Sequence, residues 1–258
     1  MDYPKMSIIV PSFNQGHFLE ETLNSIIDQS YPNLELIVID GGSTDNTVDI
    51  LRKYDRDITY WVSEEDNGQT HAINKGFKKS TGDLVAWMNS DDIYYPEAFK
   101  TIADSYVSTN GGKDVYFGDK TNIDKDGGII KKYYYPPFCG WGIMHTTNMN
   151  ISNQSAFWKR SVLEETGYLD EDIQFAMDYE FFLRIWIKGA KFEKVNKILG
   201  ALRMYDENKS SLEEWIKVKN ENLIQIKEKY GVNHSPIKKL LYYLYKALFV
   251  WRRRILNS

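Results

Sequence analysis

The sequence predicts an α/β fold in which helices cover both faces of a single, mostly parallel, Rossmann-like sheet, followed by a C-terminal helical tail. Over the first hundred residues, short apolar segments alternate with segments of helical periodicity, which is typical of a parallel sheet buried on both faces. The chain has 258 residues, of which 42% are hydrophobic and 14% aromatic. That is enough to bury one large core.

The first hundred residues contain four predicted strands and three predicted helices. Each strand is a short apolar run, and each helix has apolar residues spaced by three and four positions. The strands are predicted at 7–10, 34–40, 58–62 and 83–88, and the helices at 18–27, 46–54 and 70–79. Ligands of such sheets bind at the carboxyl ends of the strands, where Pro11, Asp40 and the pair Asp91 and Asp92 fall.

The spacing of apolar residues is irregular in the middle of the chain and becomes periodic again after it. Residues 110–158 are rich in Gly, Asn and Tyr, which favours a long loop or lid. Beyond them, the spacing of apolar residues predicts helices at 160–168, 172–189 and 211–231 and strands at 191–195 and 198–205.

Composition and charge exclude several classes of protein. The single cysteine, Cys139, excludes a disulfide framework and indicates a reducing compartment. The first residues lack the charged and apolar regions of a signal peptide, so we expect a cytoplasmic location. Residues 1–235 hold 26 basic and 36 acidic residues, and such an acidic body argues against nucleic acid as a partner.

The C-terminal residues differ from this body in charge, because residues 236–258 hold six basic residues and no acidic one. Their central apolar stretch is shorter than the roughly 20 residues needed to span a membrane. Its aromatic and basic ends are typical of a helix on the membrane surface, although a helix packed on the domain or on a second subunit explains the pattern equally well. We predict a domain over 1–210, with halves 1–110 and 111–210, and a helical extension over 211–258.

Acidic residues at the predicted strand ends are candidate ligand groups. Asp40 precedes two glycines that let a ligand approach the backbone, and its carboxylate can accept from a nucleobase N–H or a ribose hydroxyl. Ser43 or Asp45 fits a helix cap instead. The adjacent carboxylates of Asp91 and Asp92 suit a divalent cation whose other ligands are phosphate oxygens and water. If these residues only capped the next helix, at most one of the two aspartates would be needed.

Several longer segments resemble glycosyltransferase family 2. Residues 10–51, VPSFNQGHFLEETLNSIIDQSYPNLELIVIDGGSTDNTVDIL, and residues 66–92, DNGQTHAINKGFKKSTGDLVAWMNSDD, resemble its donor half. Residues 153–185, NQSAFWKRSVLEETGYLDEDIQFAMDYEFFLRI, resemble its acceptor half. The motifs follow the order of the family between residues 6 and about 205. The resemblance implies the GT-A fold and a metal-dependent, inverting sugar transfer from a nucleotide sugar.

The resemblance also implies roles for individual residues. Asp178 matches the catalytic base, and its apolar neighbours argue against a merely solvated helix position. Asp92 matches the residue that binds a Mg²⁺ or Mn²⁺ ion, and Asp91 matches the residue that lies near the ribose. The residues implied to bind the nucleotide sugar, with Phe13 stacked on the base, are Pro11, Phe13, Asp40, Gly68, Gln69, Asn74 and Asp91.

Two positions depart from the family pattern. The metal motif begins with Asn89 instead of aspartate, which removes one carboxylate from the implied metal site. Tyr205 stands where many members have histidine in an R-x-H element, so a metal or phosphate contact there is in doubt. His145 from the predicted lid could substitute, although a lone histidine in a loop is more often simply exposed.

The resemblance implies an enzyme that moves a sugar from a UDP-sugar to a hydroxyl of a saccharide or lipid-linked saccharide, in cell-surface polysaccharide synthesis. A dinucleotide-dependent oxidoreductase is disfavoured because PSFNQG, and not a glycine fingerprint, follows the first strand. A sugar-phosphate nucleotidyltransferase and a non-catalytic carbohydrate-binding protein remain as alternatives.

Overall fold

A computed structural model describes residues 3–146, 150–206, 213–232 and 236–256. Its strands are β1 (Met6–Ser12), β2 (Leu34–Asp40), β3 (Tyr60–Ser63), β4 (Leu84–Trp87), β5 (Ile93–Tyr94), β6 (Val115–Ile123), β7 (Ile129–Tyr133), β8 (Ala156–Lys159) and β9 (Phe192–Arg203). Its α-helices are α1 (Gly16–Ile27), α2 (Thr47–Lys53), α3 (Gln69–Lys79), α4 (Ala98–Ser108), α5 (Gly140–Thr146), α6 (Arg160–Thr166), α7 (Met177–Ile187), α8 (Glu213–Tyr230) and α9 (Pro236–Leu256). A short 3₁₀ helix spans Asn153–Ser155.

Within these ranges, nine strands form one sheet in the order β3-β2-β1-β4-β8-β6-β9-β5, and β7 pairs with β6. The first four strands along the chain are parallel. Ser12 lies opposite Asp40, and Ile9 lies opposite Trp87. Strand β1 therefore extends beyond β4, which leaves Pro11 without a partner on the β4 side, where its missing N–H costs nothing. The predicted α/β class with helices on both faces is confirmed.

Alternating residues of these strands serve two separate cores. Ile8 and Val10 face α1 and α4, whereas Ile9 and Trp87 face α3 and α7. Because both faces are covered, the strands are apolar at successive positions, and this explains why continuous apolar runs identified them in the sequence.

The second half of the sheet was predicted less well. Strand β9 is one continuous strand, so the prediction of separate strands at 191–195 and 198–205 was wrong. Its pairing with β6 shifts register near Asp119, and a bulge of this kind lets a strand continue past an irregular position. The polar residues Asn196 and Lys197 lie in that stretch, which is why the sequence looked interrupted there.

The prediction of a long irregular lid over 110–158 was also wrong. Much of that range lies in β6, β7, α5 and β8, while 147–149 lie outside the described residues. Strand β7 is paired on one side by β6 and is exposed over most of its length. Its sequence IIKKY does not alternate between apolar and polar residues, because neither face of the strand is deeply buried. Edge strands of this kind give little periodic signal.

The C-terminal helices contact the domain at separate places. Helix α8 contributes the buried Ile226 to the core that includes α7. Helix α9 buries Tyr242 against Gly142 of α5, where an added Cβ would lie 2.3 Å from the tyrosine ring. In the part of the chain with described structure, no helix has the length and apolar character needed to cross a membrane. The division into a domain over 1–210 and an extension stays a prediction.

A buried acidic group joins three strands at the amino ends of the sheet. Glu35 of β2 accepts hydrogen bonds from the Lys5 ammonium at 2.7 Å, from the Ser7 hydroxyl, and from the Thr81 backbone N–H at 2.7 Å. Burial by itself would raise the pKa of Glu35, but these donors outweigh it and lower the pKa to about 2. The carboxylate therefore ties β1, β2 and the residues before β4 together.

We expect Glu35→Gln to lower the free energy of unfolding by about 2 kcal/mol at pH 7, because the amide loses the charge-assisted bonds. A depressed pKa contributes stability that is present above the unfolded value near 4.5 and is lost as the pH falls toward about 2. Urea unfolding at several pH values should show the two proteins converging over that window. Glu164→Gln, in an exposed pair with Arg160, is the control and should change stability by less than about 0.5 kcal/mol.

Candidate active site

The parallel strands β1, β2 and β4 have their carboxyl ends at the same edge of the sheet. The space beyond these strand ends is the candidate crevice. Phe13 directly follows β1 and is 60% exposed, although it is a large aromatic residue next to a buried strand. Pro11 is buried within β1. The register places Phe13 beside Gly41, since Ser12 pairs with Asp40. An exposed aromatic ring at this position is free to stack on a planar ligand.

Asp40 lies beneath this crevice and is fully buried. One oxygen accepts from the Ser43 N–H at 2.9 Å and from the Ser63 hydroxyl at 2.6 Å, and the other accepts from the Ser43 hydroxyl. The Ser43 hydroxyl in turn accepts from the Asn14 N–H. The contact of Asp40 with a base or ribose stays a prediction. Its carboxylate holds the loop after β2 in place.

Asp66 lies beside the loop that follows Asp40, and its carboxylate accepts from the Gly68 N–H at 2.7 Å. It is partly exposed, and an added Cβ on Gly41 would lie 2.8 Å from its carboxylate oxygen. Glycine at 41 is thus needed for Asp66 to reach across the end of β2. The signal for this residue was present in the sequence as the acidic stretch EED before Asn67, but its direction depended on a loop that periodicity does not describe.

The adjacent aspartates after β4 have different surroundings. Asp92 is fully buried. Its carboxylate accepts from the Arg203 N–H at 2.9 Å, the Gln154 amide at 2.8 Å and the Asn89 amide at 3.0 Å. Burial and the neighbouring Asp91 charge raise the pKa of Asp92 to about 7. Asp91 is partly exposed, and its carboxylate accepts from the Tyr205 hydroxyl at 2.9 Å.

Residues at the end of β9 fix this turn from the other side. The buried Arg203 guanidinium donates to the Asp91 carbonyl at 2.9 Å and to the Glu21 carboxylate at 2.6 Å, and it lies 4.6 Å from the centre of the Phe18 ring. Tyr205 packs on the same ring. Tyr205 thus orients Asp91 through its hydroxyl, at the position where many relatives have histidine.

The two aspartates differ in how they could meet a metal ion. A Mg²⁺ ion in a phosphate site is commonly held by one or two carboxylates, phosphate oxygens and water, and the partly exposed Asp91 at the crevice meets that need. Both oxygens of Asp92 accept internal hydrogen bonds, and its role as a metal ligand stays a prediction. Among the described residues, no group of three or more His, Cys, Asp or Glu side chains forms a metal cluster. The side chain of His145 lies outside what the structure describes.

The residues around the start of α3 separate into two groups. Gly68 precedes the helix with a φ of +102°, a value that favours glycine, and the Gln69 amide donates to Asn89 at 2.8 Å, beside Asp92. Asn74 is buried and bonds to Leu169 at both its amide nitrogen and its carbonyl oxygen. Asn74 therefore joins α3 to the chain before α7, and the predicted diphosphate contact does not fit it.

Asp178 lies in the first turn of α7 and is partly buried. Burial raises the pKa of Asp178, while the Tyr179 N–H and the charges of Lys120 and Lys219 oppose that rise. The Thr70 hydroxyl of α3 donates to the sulfur of Met177 at the start of α7 at 2.9 Å, and Gln69 of the same helix donates to Asn89 in the aspartate turn. The start of α7, with Asp178, therefore lies at the same edge of the sheet as Asp91.

The other acids near Asp178 have different surroundings. Glu180 is fully buried and accepts from the Arg184 guanidinium at 2.9 Å and from the Tyr230 hydroxyl. Asp172 is exposed on the loop before α7. Neither has the partly apolar setting at the crevice that Asp178 has.

Comparisons with solved structures identify the fold. The chain superposes on Staphylococcus aureus TarS, residues 1–349, in complex with UDP-GlcNAc, with a TM-score of 0.67 and 21% identity over 86% of this chain and 66% of that one. The mannosyltransferase PcManGT of Pyrobaculum calidifontis, in complex with GDP-Man and Mn²⁺, gives a TM-score of 0.68 at 20% identity, over 95% and 70% of the two chains. The architecture is the GT-A fold of glycosyltransferases.

Sequence comparison gives the family. A model of glycosyl transferase family 2 matches residues 7–167, and the chain belongs to that family. TuaG of Bacillus subtilis, named as a candidate teichuronic acid biosynthesis glycosyltransferase, is 41% identical over 212 residues, which are 81% of this chain and 82% of that protein. The chain spans about a third of the length of several other curated relatives, the chondroitin synthase of Escherichia coli among them.

Alanine substitution should separate the roles of the two adjacent aspartates. Asp92→Ala leaves three buried donors without an acceptor, so we expect the free energy of unfolding to fall by about 2–4 kcal/mol. Asp91→Ala removes the hydrogen bond from the Tyr205 hydroxyl to a partly exposed carboxylate and should cost less than about 1 kcal/mol. Chemical denaturation without metal or nucleotide measures both. Equal losses in the two variants would contradict the structural role given to Asp92.

Proposed function

We propose that the chain transfers a sugar from a UDP-sugar to a hydroxyl of a saccharide or lipid-linked saccharide, with inversion, in the synthesis of a cell-surface polysaccharide. One observation carries this proposal: an exposed aromatic residue, Phe13, and two partly exposed carboxylates, Asp91 and Asp178, line the same crevice. Each has a separate task in such a transfer. The UDP-GlcNAc complex of TarS and the name of TuaG support the donor and the pathway class.

The donor nucleotide lies across the ends of β1 and β2 in this proposal. Phe13 stacks on the base, and Asp66 accepts a hydrogen bond from a base N–H. Gly41 leaves the space that both contacts need, because a side chain there would collide with Asp66. The backbone N–H groups at the start of α3, after Gly68, are placed to donate to the diphosphate.

A Mg²⁺ or Mn²⁺ ion would be held by Asp91 together with diphosphate oxygens and water, and when bound it neutralises charge on the leaving diphosphate. Tyr205 and Arg203 keep Asp91 in place from behind. Tyr205 only orients Asp91 in this proposal, so the departure from histidine at 205 does not remove the site. The Mn²⁺ in the PcManGT complex supports a divalent ion.

Asp178 acts as the general base. Its carboxylate takes the proton of the acceptor hydroxyl while the hydroxyl oxygen bonds to the anomeric carbon and the bond from that carbon to the diphosphate breaks. Attack from the face opposite the leaving group inverts the anomeric centre. Partial burial raises the pKa of Asp178, which brings its basicity closer to that needed near neutral pH.

The reaction class is tested by incubating the full chain with a panel of nucleotide sugars and Mn²⁺, with candidate saccharide acceptors. Release of nucleoside diphosphate together with a glycosylated product is the expected result. Release of pyrophosphate would indicate a nucleotidyltransferase instead, and binding without turnover would indicate a carbohydrate-binding protein. A thermal-shift screen of the same panel identifies the preferred base and sugar first.

Phe13→Ala should weaken donor binding about tenfold to hundredfold, the range that base stacking on an aromatic side chain supports. Because Phe13 is largely exposed, the variant should keep its melting temperature. Titration calorimetry with the donor selected by the screen measures the effect. Tyr60→Ala, at an exposed aromatic residue of β3, is the matched control and should bind donor as the unmodified protein does.

Asp178→Asn should lower the transfer rate by about 10²–10⁴-fold, the usual contribution of a general base. The amide keeps the shape of the carboxylate but cannot take the proton, so donor affinity should stay unchanged. Asp172→Asn, on the loop before α7, is the control and should retain activity. Loss of donor affinity along with rate in Asp178→Asn would show a binding role and not proton transfer.

A further inference from the structure

Helix α9 exposes a continuous apolar stripe. Six side chains along it are more than half exposed, and they are Ile237, Leu240, Leu241, Leu244, Leu248 and Trp251. Their spacing of three and four residues places them on one face of the helix over about four turns. Large apolar side chains in such a run are costly to leave in water, and on folded proteins they mark an interaction surface.

The stripe cannot turn inward, because the domain already holds another face of the helix. Tyr242 is 1% exposed against Gly142, and Phe249 and Val250 are partly buried. The helix spans 21 residues, or about 30 Å, and it is among the described helices that are not apolar enough to cross a membrane. A partner for the stripe must therefore lie along the helix.

The charge around the stripe has one sign. Lys238 and Arg252 are exposed beside it, about four turns apart on the same side. Residues 236–258 hold six basic residues and no acidic one, whereas the body has ten more acidic than basic residues. An anionic surface would thus attract this face of the molecule and repel the rest, which fixes an orientation.

We propose that the exposed face of α9 forms a docking surface for an anionic lipid bilayer, with the helix lying flat in the headgroup region. Apolar side chains along one face with basic residues beside them are the features of such helices. A second copy that pairs stripe to stripe fits less well, since each copy would bring the basic Lys238 and Arg252, and no acidic residue of α9, to the interface. The proposal does not depend on the transfer reaction.

Vesicle co-sedimentation of the full chain tests the proposal without donor or acceptor. We expect binding to vesicles with 30 mol% phosphatidylglycerol, and at least about tenfold weaker binding to pure phosphatidylcholine. Leu244→Glu, at the middle of the stripe, should weaken binding at least about tenfold. Lys238→Gln with Arg252→Gln should weaken it roughly 25-fold, about fivefold for each charge.

Matched controls exclude general effects of charge and folding. Ile224→Glu changes an equally exposed apolar residue on α8, and Arg52→Gln with Arg56→Gln removes two exposed charges near α2. Both should bind as the unmodified protein does, and every variant should keep its melting temperature. Equal binding to both kinds of vesicle, or none, would overturn the proposal. So would a dimer, seen by light scattering, that Leu244→Glu dissociates without any vesicle binding.

Discussion

The geometry of the crevice depends on the burial of one carboxylate, that of Asp92. An unpaired charge in this position would cost several kcal/mol, and the chain meets that cost with donors from three separate segments: Arg203, Gln154 and Asn89. These bonds tie the turn after β4 to the end of β9 and to the 3₁₀ segment before β8. Parallel and antiparallel parts of the sheet are thereby joined at the point where a donor diphosphate would lie.

The fold of the first hundred residues could be predicted because each strand is buried on both faces and each helix on one. Periodicity reports burial, so it located β1 to β4 and α1 to α3 closely. It failed for β7 and β9, since an edge strand and a bulged strand do not alternate or run apolar in a regular way. The GT-A fold itself came from the resemblance of motifs, and residues such as Asp91 made those motifs recognisable.

The sequence indicated the location of the candidate site but not the orientation of its side chains. Strand-end carboxylates were predicted to lie around the candidate site, yet the sequence does not say which way a carboxylate points. Asp40, Asn74 and Asp92 are held in internal hydrogen bonds, and Asp66, which was not singled out, reaches the crevice because Gly41 has no side chain. The orientations of these side chains depend on loop conformation and on hydrogen-bond partners such as Arg203, which is more than a hundred residues from Asp92 in the sequence.

These hydrogen bonds separate the acidic residues into two groups. Buried acids such as Asp40, Asp92 and Glu180 have their oxygens taken up by internal donors, and they make the frame rigid. Asp91 and Asp178 are only partly buried, so their carboxylates can still meet a ligand. A rigid frame lowers the cost of orienting those two groups when substrate binds. Of the two adjacent aspartates, the more buried Asp92 therefore ties its turn to β9 and to the 3₁₀ segment, while Asp91 lies at the partly exposed side of that turn.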